Sequence, residues 1–467
     1  MKRWIIAATL LLYFSSLYSQ EQQLQALTGK YGIPGIQLVV VKGHKTERFN
    51  LGTTGEPSNK KITDNTIFEA ASLSKCVFAY TVLRLYDRGI ISLDTPLINY
   101  IGAYDRFDPA DTRYKKITAR MVLRHTTGLP NWGGKYARLI FTPDSIYSYS
   151  GEGFQYLQKV VETITKKTLE ELAQQEVFIP LGMTRTGYTW SSKFDTLSAF
   201  GNSADAVNDH SRQRAAASLL SCAHDYALFL QALMAGTGLE PATHRMMLSR
   251  QSAGNWFKHR VTEANNYIWW GLGIGIQANE TGDWIWQWGD NGSFKGFAIA
   301  NPTKKEALVY FTHSNWGLHI TTDILDVFFP KQTWWVPTWI GYEFYEKKHM
   351  LHFWAGLDKQ GYDHAMEIAR ELKQQDTSFK LPDSDVNDLA YILLGKNRKK
   401  EAIDIFKYNV AVNPNSADAY AGLADGYDNI GEKEQAIKNF KKALELDPKN
   451  TDIAERVKKL EGGPGNK

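Results

Sequence analysis

The strand-forming segments of this chain fall into two groups that lie far apart in the sequence. Two runs near the start, Gly35–Val41 and Thr46–Leu51, flank the turn-prone Lys42–His44 and are typical of a β-hairpin. Four more runs come much later, separated by glycine and proline clusters: Trp269–Gln277, Trp284–Trp288, Lys295–Ala300 and Ala307–Thr312. A fold of this chain has to bring the two groups together.

The segment between the two groups, from Lys75 to about Leu233, is mostly helical or irregular. It contains a predicted helix start at Ser92–Asp94 and a predicted helix over Phe154–Thr165. Strands on both sides of a helical middle predict an antiparallel sheet with a helical insertion. The pattern therefore favours an α+β fold over a doubly wound parallel sheet.

From about Gly356 the pattern changes to pairs of helices with few strand-forming residues. Ala417–Asn450 is similar to a tetratricopeptide repeat, whose period is about 34 residues. The residues that carry this likeness are Tyr420, Leu423, Ala424, Tyr427, Gly431, Ala436, Phe440, Ala443 and Pro448. One period earlier, Leu389, Ala390, Ala402, Phe406 and Pro414 fall in register. Gly361–Lys373 resembles the second helix of an incomplete repeat, and Thr451–Leu460 is a predicted capping helix.

The amino terminus has the pattern of an export signal. Met1–Arg3 is basic, Trp4–Leu17 is apolar, and Ser19-Gln20 is a plausible cleavage point. An uncleaved anchor is the alternative for so short an apolar run. We predict a signal peptide over residues 1–19 and a periplasmic or extracellular mature chain without a transmembrane segment.

Composition excludes several classes of function. The 467-residue chain has a formal net charge of +4 and no block of five or six basic residues, so nucleic-acid binding has no electrostatic support. Its two cysteines, Cys76 and Cys222, lie in helical or apolar segments and are interpreted as buried free thiols. No Cys/His cluster has metal-ligand spacing, and we expect neither a metal nor an organic cofactor.

Phe68–Lys75 contains the most informative local pattern, a serine and a lysine three residues apart at the start of a predicted helix. Positions i and i+3 share a helix face, about 5–6 Å apart at Cβ, so the Lys75 amine can take the Ser72 hydroxyl proton. The alternative is that Ser72 is an ordinary helix N-cap. Ser58–Lys61 has the same spacing, but it lies in a polar loop that no helix follows.

Four further segments accompany Ser72–Lys75: Leu123–Pro130, Tyr149–Gly151, Pro180–Met183 and Gly289–Gly292, the last expected to open a strand. With them, the chain resembles the serine β-lactamase-like family, which includes class C β-lactamases, penicillin-binding DD-carboxypeptidases and related esterases. The resemblance covers roughly residues 20–329. It implies a β-lactamase/transpeptidase-like domain over residues 20–345, followed by the repeat domain over residues 346–467.

The resemblance also implies roles for individual residues. Ser72 corresponds to the nucleophile, Lys75 to its base, and Tyr149 to a second acid/base group that relays protons to the leaving group. The backbone N–H groups of Ser72 and Ser293 would form the oxyanion hole. The alternative for Tyr149 is a packed aromatic side chain beside Tyr147.

Two predicted substrate-binding positions depart from the family pattern. Gly151 stands where the family has an asparagine that contacts the substrate amide. Asp290, followed by Asn291 and Gly292, stands where the family has Lys or His, and its charge would repel a substrate carboxylate. We therefore predict weak or absent β-lactamase and DD-carboxypeptidase activity, with a preference for neutral esters or amides or for substrates with a free amine. Lys295 could restore a cation, although a strand lysine is more often solvated or paired.

Other residues receive structural interpretations. The resemblance makes His125 a structural loop residue, and His313 is interpreted as the end of a strand. Trp284, Trp286 and Trp288 alternate along one predicted strand, which is more typical of sheet packing than of a cleft that binds a sugar or an aromatic group.

The sequence thus predicts an exported serine hydrolase that acts on an ester, amide or peptide, with a repeat domain that binds a protein partner or a second copy. Two alternatives stay open. One is a penicillin-binding or β-lactamase-type enzyme that acts on cell-wall peptides, and the other is a catalytically silent binding protein.

Overall fold

A computed structural model describes residues 18–134, 136–201, 212–256, 261–342, 348–395, 398–448 and 450–461. The chain divides into two compact units, Met1–Glu343 and Phe344–Lys467. The apolar run of the predicted signal peptide lies outside the described residues. No helix in the described part of the chain is both long and apolar enough to cross a lipid bilayer.

The first unit is built on an eight-stranded sheet with the order β2-β1-β10-β9-β8-β7-β6-β5, beside a two-stranded sheet of β3 and β4. The strands are β1 (Gly35–Lys42), β2 (Lys45–Gly52), β3 (Phe68–Ala71), β4 (Leu219–Ser221), β5 (Ser252–Ala253), β6 (Ile268–Trp270), β7 (Gly275–Asn279), β8 (Gly282–Asn291), β9 (Phe294–Asn301) and β10 (Glu306–Thr312). β1 pairs antiparallel with β10, with Val39 opposite Val309. The two groups of strands therefore do join in one antiparallel sheet.

Both faces of this sheet are covered by hydrophobic cores, as the side chains of β1 show. Its side chains alternate between two hydrophobic cores: Val39 and Val41 lie in one core, and Leu38 and Val40 in the other. A strand that is buried on both faces reads as a continuous apolar run in the sequence.

Helices of the first unit supply the covering layers. They are α1 (residues 18–30), α2 (Ser74–Asp87), α3 (Ile98–Ile101), α4 (Ala119–Leu123), α5 (Gly151–Thr165), α6 (Leu169–Ala173), α7 (Ile179–Leu181), α8 (Ala223–Ala235), α9 (Pro241–Met247), α10 (Thr321–Phe328) and α11 (Trp335–Ile340). The core that contains Val39 also contains apolar residues of α2, α5 and α8. The core that contains Leu38 also contains residues of α1, α10 and α11.

Two local predictions are wrong. No helix starts at Ser92, because the chain runs as turns until α3 begins at Ile98. The run Trp269–Gln277 is not one strand, because a turn separates β6 from β7. Gly273 in that turn has φ +82, and a Cβ on it would lie 2.1 Å from the Ala79 Cβ, so glycine lets the turn pack closely against α2.

The second unit is all-helical. Its helices are α12 (Lys348–Gln360), α13 (Ala365–Gln375), α14 (Asp383–Gly395), α15 (Lys399–Val412), α16 (Ala417–Asn429), α17 (Lys433–Leu446) and α18 (Thr451–Glu461). A Cβ on Gly422 of α16 would lie 2.7 Å from the Phe406 ring of α15, so these helices pack closely. Ala436, Phe440 and Ala443 are buried, as the repeat pattern predicts.

Candidate active site

Ser72 lies on a sharp turn between β3 and α2. Ala71, the last residue of β3, has φ +53, a left-handed conformation that a residue with a Cβ adopts at a cost. The N-cap of α2 is Leu73, and no side chain caps this helix. The Ser72 hydroxyl, which is partly exposed, instead donates to the Ala216 carbonyl at 3.3 Å. The N-cap interpretation of Ser72 is therefore wrong.

Lys75, the second residue of α2, is completely buried. Its Nζ donates to Ser72 Oγ at 3.1 Å and to the Ala216 carbonyl at 2.8 Å. Burial lowers the pKa of the Lys75 ammonium to about 7, because the charged form loses its hydration. Near neutral pH a large fraction of Lys75 is therefore the neutral amine, which can accept a proton.

Tyr149 lies against the same lysine. Lys75 Nζ is 4.7 Å from the centroid of the Tyr149 ring, and the centroid of the Trp288 ring is 4.6 Å from that of Tyr149. The Tyr149 hydroxyl lies close to Ser72 and Gln287, but it has no hydrogen bond of normal geometry among the described residues. Burial raises the pKa of the Tyr149 phenol, so this group is neutral at physiological pH.

His125 holds the segment that carries Tyr149. Its carbonyl accepts the Ser148 N–H at 2.8 Å, and its Nδ1 accepts the Ser150 N–H at 3.0 Å. Because Nδ1 is an acceptor, Nε2 carries the proton, and burial keeps the pKa of His125 well below its usual value. These contacts agree with a structural role for a neutral His125. His125 thus holds the residues directly before and after Tyr149.

The segment Gly289–Ser293 does not open a strand, contrary to the sequence prediction. Gly289–Asn291 ends β8, and Gly292 (φ +64) and Ser293 form the tight turn into β9. A Cβ on Gly289 would lie 2.4 Å from the Ala70 carbonyl. Glycine therefore lets β8 approach β3 closely, at the residues that directly precede Ser72. The hairpin is thus held beside the turn that carries Ser72.

Asn291 hydrogen bonds the hairpin to neighbouring segments. Its Nδ2 donates to Glu69 Oε2 at 2.8 Å and to the Ala217 carbonyl at 3.3 Å, so both amide hydrogens have protein partners. Ser293 is fully buried, and its hydroxyl has no partner among the described residues.

Asp290 is not a bare negative charge. It forms an ion pair with Lys295, and the Tyr342 hydroxyl donates to its other carboxylate oxygen. Burial alone would raise the pKa of the Asp290 carboxyl. The Lys295 charge and the hydrogen bonds outweigh that effect and hold the pKa below its usual value. Lys295 thus proves to be a paired cation beside this hairpin.

Gly151 is the first residue of α5, and a side chain has no room there. A Cβ on it would lie 2.6 Å from the Asn131 carbonyl and 3.1 Å from the Trp132 ring. Asn131 and Trp132 therefore fill the space that a side chain at position 151 would need. The sequence predicted neither of these residues as part of the site, nor Gln287, which lies close to the Tyr149 hydroxyl. No local signal in the sequence marks these residues, because their contacts join separate segments of the chain.

The remaining sequence predictions concern packing. Trp284, Trp286 and Trp288 lie in the core of the sheet, although Trp288 also contacts Tyr149. His313 follows β10, and its ring bonds the Thr53 carbonyl at 2.7 Å. Cys76 and Cys222 are free and buried, which confirms their interpretation.

Comparison with known proteins agrees with this arrangement. The β-lactamase family model matches residues 20–320, more than half of the chain. The chain belongs to the β-lactamase family. A tetratricopeptide-repeat model matches residues 417–450, the segment that the repeat pattern predicts.

Relatives in the β-lactamase family carry different names. Penicillin-binding protein 4 of Amycolatopsis lactamdurans is 23% identical over 183 residues, or 35% of this chain and 47% of that protein. Esterase EstB of Burkholderia gladioli is 27% identical over 194 residues, or 35% of this chain and 49% of that protein. This chain therefore spans less than half the length of these curated relatives.

Solved structures of the β-lactamase family share the fold. A class C β-lactamase matches with a TM-score of 0.56 and 18% identity over 66% of this chain and 94% of that chain. The octameric penicillin-binding protein homologue from Pyrococcus abyssi matches with a TM-score of 0.55 and 19% identity, over 67% of this chain and 77% of that chain. The predicted α+β fold is confirmed.

The described residues of this β-lactamase-family chain contain no group of three or more His, Cys, Asp or Glu side chains arranged to hold a metal ion.

Proposed function

We propose that this chain is an exported serine hydrolase that acts by acyl transfer on esters or amides, with Ser72, Lys75 and Tyr149 as its catalytic residues. One observation carries the proposal: Lys75 Nζ lies 3.1 Å from Ser72 Oγ, while burial brings the pKa of that amine to about 7. A neutral amine within hydrogen-bonding distance of a serine hydroxyl is a competent base for a nucleophile.

The reaction follows from these positions. Lys75 takes the proton of the Ser72 hydroxyl as Ser72 Oγ forms a bond to the substrate carbonyl carbon. The backbone N–H groups of Ser72 and Ser293 donate to the developing oxyanion. Tyr149, a neutral phenol, gives its proton to the departing alcohol or amine and regains one from Lys75. Water, deprotonated along the same route, then attacks the acyl-enzyme, and the acid leaves as Ser72 recovers its proton.

The charge next to the hairpin limits the substrate class. Asp290 and Lys295 neutralise each other, so neither offers a full charge to a substrate carboxylate. Curated relatives include proteins named as an esterase and as a D-alanyl-D-alanine carboxypeptidase/endopeptidase. The paired charges support uncharged esters or amides as substrates of this chain.

The remaining parts of the proposal concern the whole chain. The basic and apolar residues of 1–19 support export through a signal peptide. We propose a hydrolase domain over residues 20–345 and a repeat domain over residues 346–467 that binds a protein partner or a second copy, as helical repeats commonly do.

The test is the intact mass of the purified mature protein after treatment with a broad serine-directed phosphonate. Wild type should gain one adduct and Ser72→Ala none, because an alanine side chain lacks the nucleophilic oxygen. A Ser74→Ala variant is the matched control, since the Ser74 hydroxyl is buried and donates to the Ala71 carbonyl.

A penicillin-treated sample separates the alternatives. A phosphonate adduct without a penicillin adduct supports the esterase or amidase assignment, whereas efficient penicillin labelling favours a penicillin-binding enzyme. Absence of both adducts contradicts the proposal and favours a binding protein.

A further inference from the structure

The Asp290 side chain closes the turn that carries Ser293. Its Oδ1 accepts the Gly292 N–H at 3.0 Å, two residues along the chain, in addition to the Lys295 ammonium. A carboxylate that accepts the backbone N–H two residues later fixes the conformation of a turn. The Gly292–Ser293 turn is therefore held by a side chain of the hairpin itself.

A third donor reaches the same carboxylate from outside the hairpin. The Tyr342 hydroxyl donates to Asp290 Oδ2, so each carboxylate oxygen has a partner. The pKa of the Tyr342 phenol lies well above its usual value because of burial and the Asp290 charge, and the hydroxyl therefore keeps the proton that it donates. Donors on both oxygens hold the carboxylate in one orientation.

Tyr342 is itself held in place. Its N–H donates to the Pro337 carbonyl at 3.0 Å, and its own carbonyl accepts a hydrogen bond from His319 Nδ1 at 3.3 Å. The centroids of the Tyr342 and His319 rings are 5.1 Å apart. Contacts of the backbone and of the ring thus fix the direction in which the hydroxyl points.

The family pattern does not supply this contact. The β-lactamase family model matches residues 20–320, and Tyr342 lies beyond that range. Asp290 stands where the resemblance implies Lys or His. One residue outside the family match and one that departs from the family pattern therefore contact each other beside the Gly292–Ser293 turn.

We infer that Asp290 and Tyr342 are positioning residues for the oxyanion hole: Tyr342 orients the Asp290 carboxylate, and that carboxylate holds the turn that presents the Ser293 N–H. This inference rests on the proposed function, because it concerns a donor that stabilises the oxyanion in that reaction. Such a donor acts only when it is aimed at the developing charge, so a loosened turn lowers the rate and leaves substrate affinity unchanged.

Amide hydrogen exchange tests the positioning without any turnover. In the full chain, the peptide of residues 289–294 should exchange about fivefold faster in Tyr342→Phe than in wild type, because the loss of one hydrogen bond loosens the turn. The phenylalanine ring keeps the contact with His319. Asp290→Ala should have a similar or larger effect, since it removes the acceptor for the Gly292 N–H.

Tyr31→Phe is the matched control, because the Tyr31 hydroxyl donates to Asp323 at 2.8 Å and Asp323 also pairs with Lys30. It should leave both the exchange of residues 289–294 and the turnover unchanged. Equal exchange in wild type and Tyr342→Phe overturns the inference.

Turnover of a small neutral ester, p-nitrophenyl acetate, measures the effect on the oxyanion hole. Tyr342→Phe should lower kcat and kcat/KM by the same factor, about tenfold, which is less than the loss of the donor itself would cost, and should leave KM within about twofold. Asp290→Asn should retain most of kcat, because the asparagine Oδ1 can still accept the Gly292 N–H. An unchanged kcat in Tyr342→Phe, or a rise in KM alone, would count against the inference.

A double variant shows whether Tyr342 acts through Asp290. If it does, Tyr342→Phe should lower kcat in the wild-type background but not in the Asp290→Ala background. An equal loss in both backgrounds would contradict the inference. If no ester is hydrolysed and Ser72 takes no phosphonate, the proposed function fails, while hydrogen exchange still decides whether the two residues hold the turn.

Discussion

Asp290 and Lys295 lie directly opposite each other across the β8–β9 hairpin and form an ion pair next to the turn that contains Ser293. The Lys295 side chain is only 6% exposed, whereas that of Asp290 is 33% exposed. The position that a family relative would use to attract a carboxylate therefore carries a neutral pair, with its cation on the buried side.

Asp290→Asn should increase labelling by penicillin. The substitution removes the negative charge that cancels the Lys295 ammonium, so a ligand carboxylate near the hairpin meets a net cation. We expect the rate of covalent labelling by benzylpenicillin to rise about tenfold, which corresponds to roughly 1.4 kcal/mol. Asp283→Asn, on the same strand and paired with Arg250, should change nothing. An unchanged rate in Asp290→Asn would show that the pair does not govern carboxylate binding.

Activity should depend on pH through Lys75. The base must be neutral to accept the Ser72 proton, and burial places the pKa of Lys75 at about 7. The kcat/KM for a non-ionising ester should therefore rise with pH, with a midpoint near pH 7, and reach a plateau above it. A profile that falls as pH rises through 7 would contradict Lys75 as the base.

Lys75→Met should abolish activity while stabilising the fold. The unfolded lysine has its ordinary pKa of about 10.4, and the folded one a pKa of about 7, so between these values the unfolded chain binds more protons. Stability therefore declines as pH falls from about 10 to about 7, and the penalty is complete below 7. Methionine does not ionise and therefore removes that penalty. The difference between the folded and unfolded pKa values limits the penalty to about 5 kcal/mol.

The measurement is the melting temperature of wild type and Lys75→Met at pH 6, 8 and 10. The difference should be largest at the lowest pH and should shrink toward pH 10. A constant difference would indicate that the titration of Lys75 does not affect stability.

Tyr149→Phe should separate activity from stability. The phenylalanine ring keeps the contacts with Lys75 and Trp288, but the proton relay is lost, so turnover should fall about a hundred- to ten-thousand-fold. Because the buried hydroxyl has no normal hydrogen bond among the described residues, the free energy of unfolding should change by less than about 1 kcal/mol. Tyr147→Phe removes another such hydroxyl and should leave turnover intact.

His125 should act through the position of Tyr149. His125→Ala removes the acceptor for the Ser150 N–H, and we expect kcat to fall about tenfold or more with a lower melting temperature. His125→Asn should recover part of kcat, because asparagine tolerates the left-handed backbone (φ +58) and offers a side-chain oxygen. The midpoint near pH 7 should persist in His125→Asn, and a displaced midpoint would instead indicate that His125 itself titrates in the reaction.

Much of the architecture could be read from local patterns. Strand periodicity placed β1, β2 and β8 to β10, and the spacing from Tyr420 to Pro448 predicted the repeat that residues 417–450 match. Apart from the helix start expected at Ser92, the errors lie at turns that contain glycine. Gly273 and Gly292 both have positive φ, and each breaks a segment that periodicity alone would treat as a strand or a strand start.

The candidate site was predictable in part, because Ser72 and Lys75 share one helix start and Tyr149 lies in a family-like segment. Asn131, Trp132 and Gln287 were not, since no local pattern indicates which distant segment will contact Gly151 or Tyr149. The sequence pointed to Lys295 but could not show that it neutralises Asp290, because that depends on their contact across the hairpin.

Local sequence therefore determined the helices, the strands, the repeat and the serine–lysine pair, because periodicity, glycine placement and spacing along one helix act over a few neighbouring residues. Tertiary structure alone decided that Lys75 loses its water, that Lys295 neutralises Asp290, and that the 130–134 loop takes the place of a side chain at Gly151. Desolvation, ion pairing and close packing depend on distances between segments far apart in the chain, and folding sets those distances.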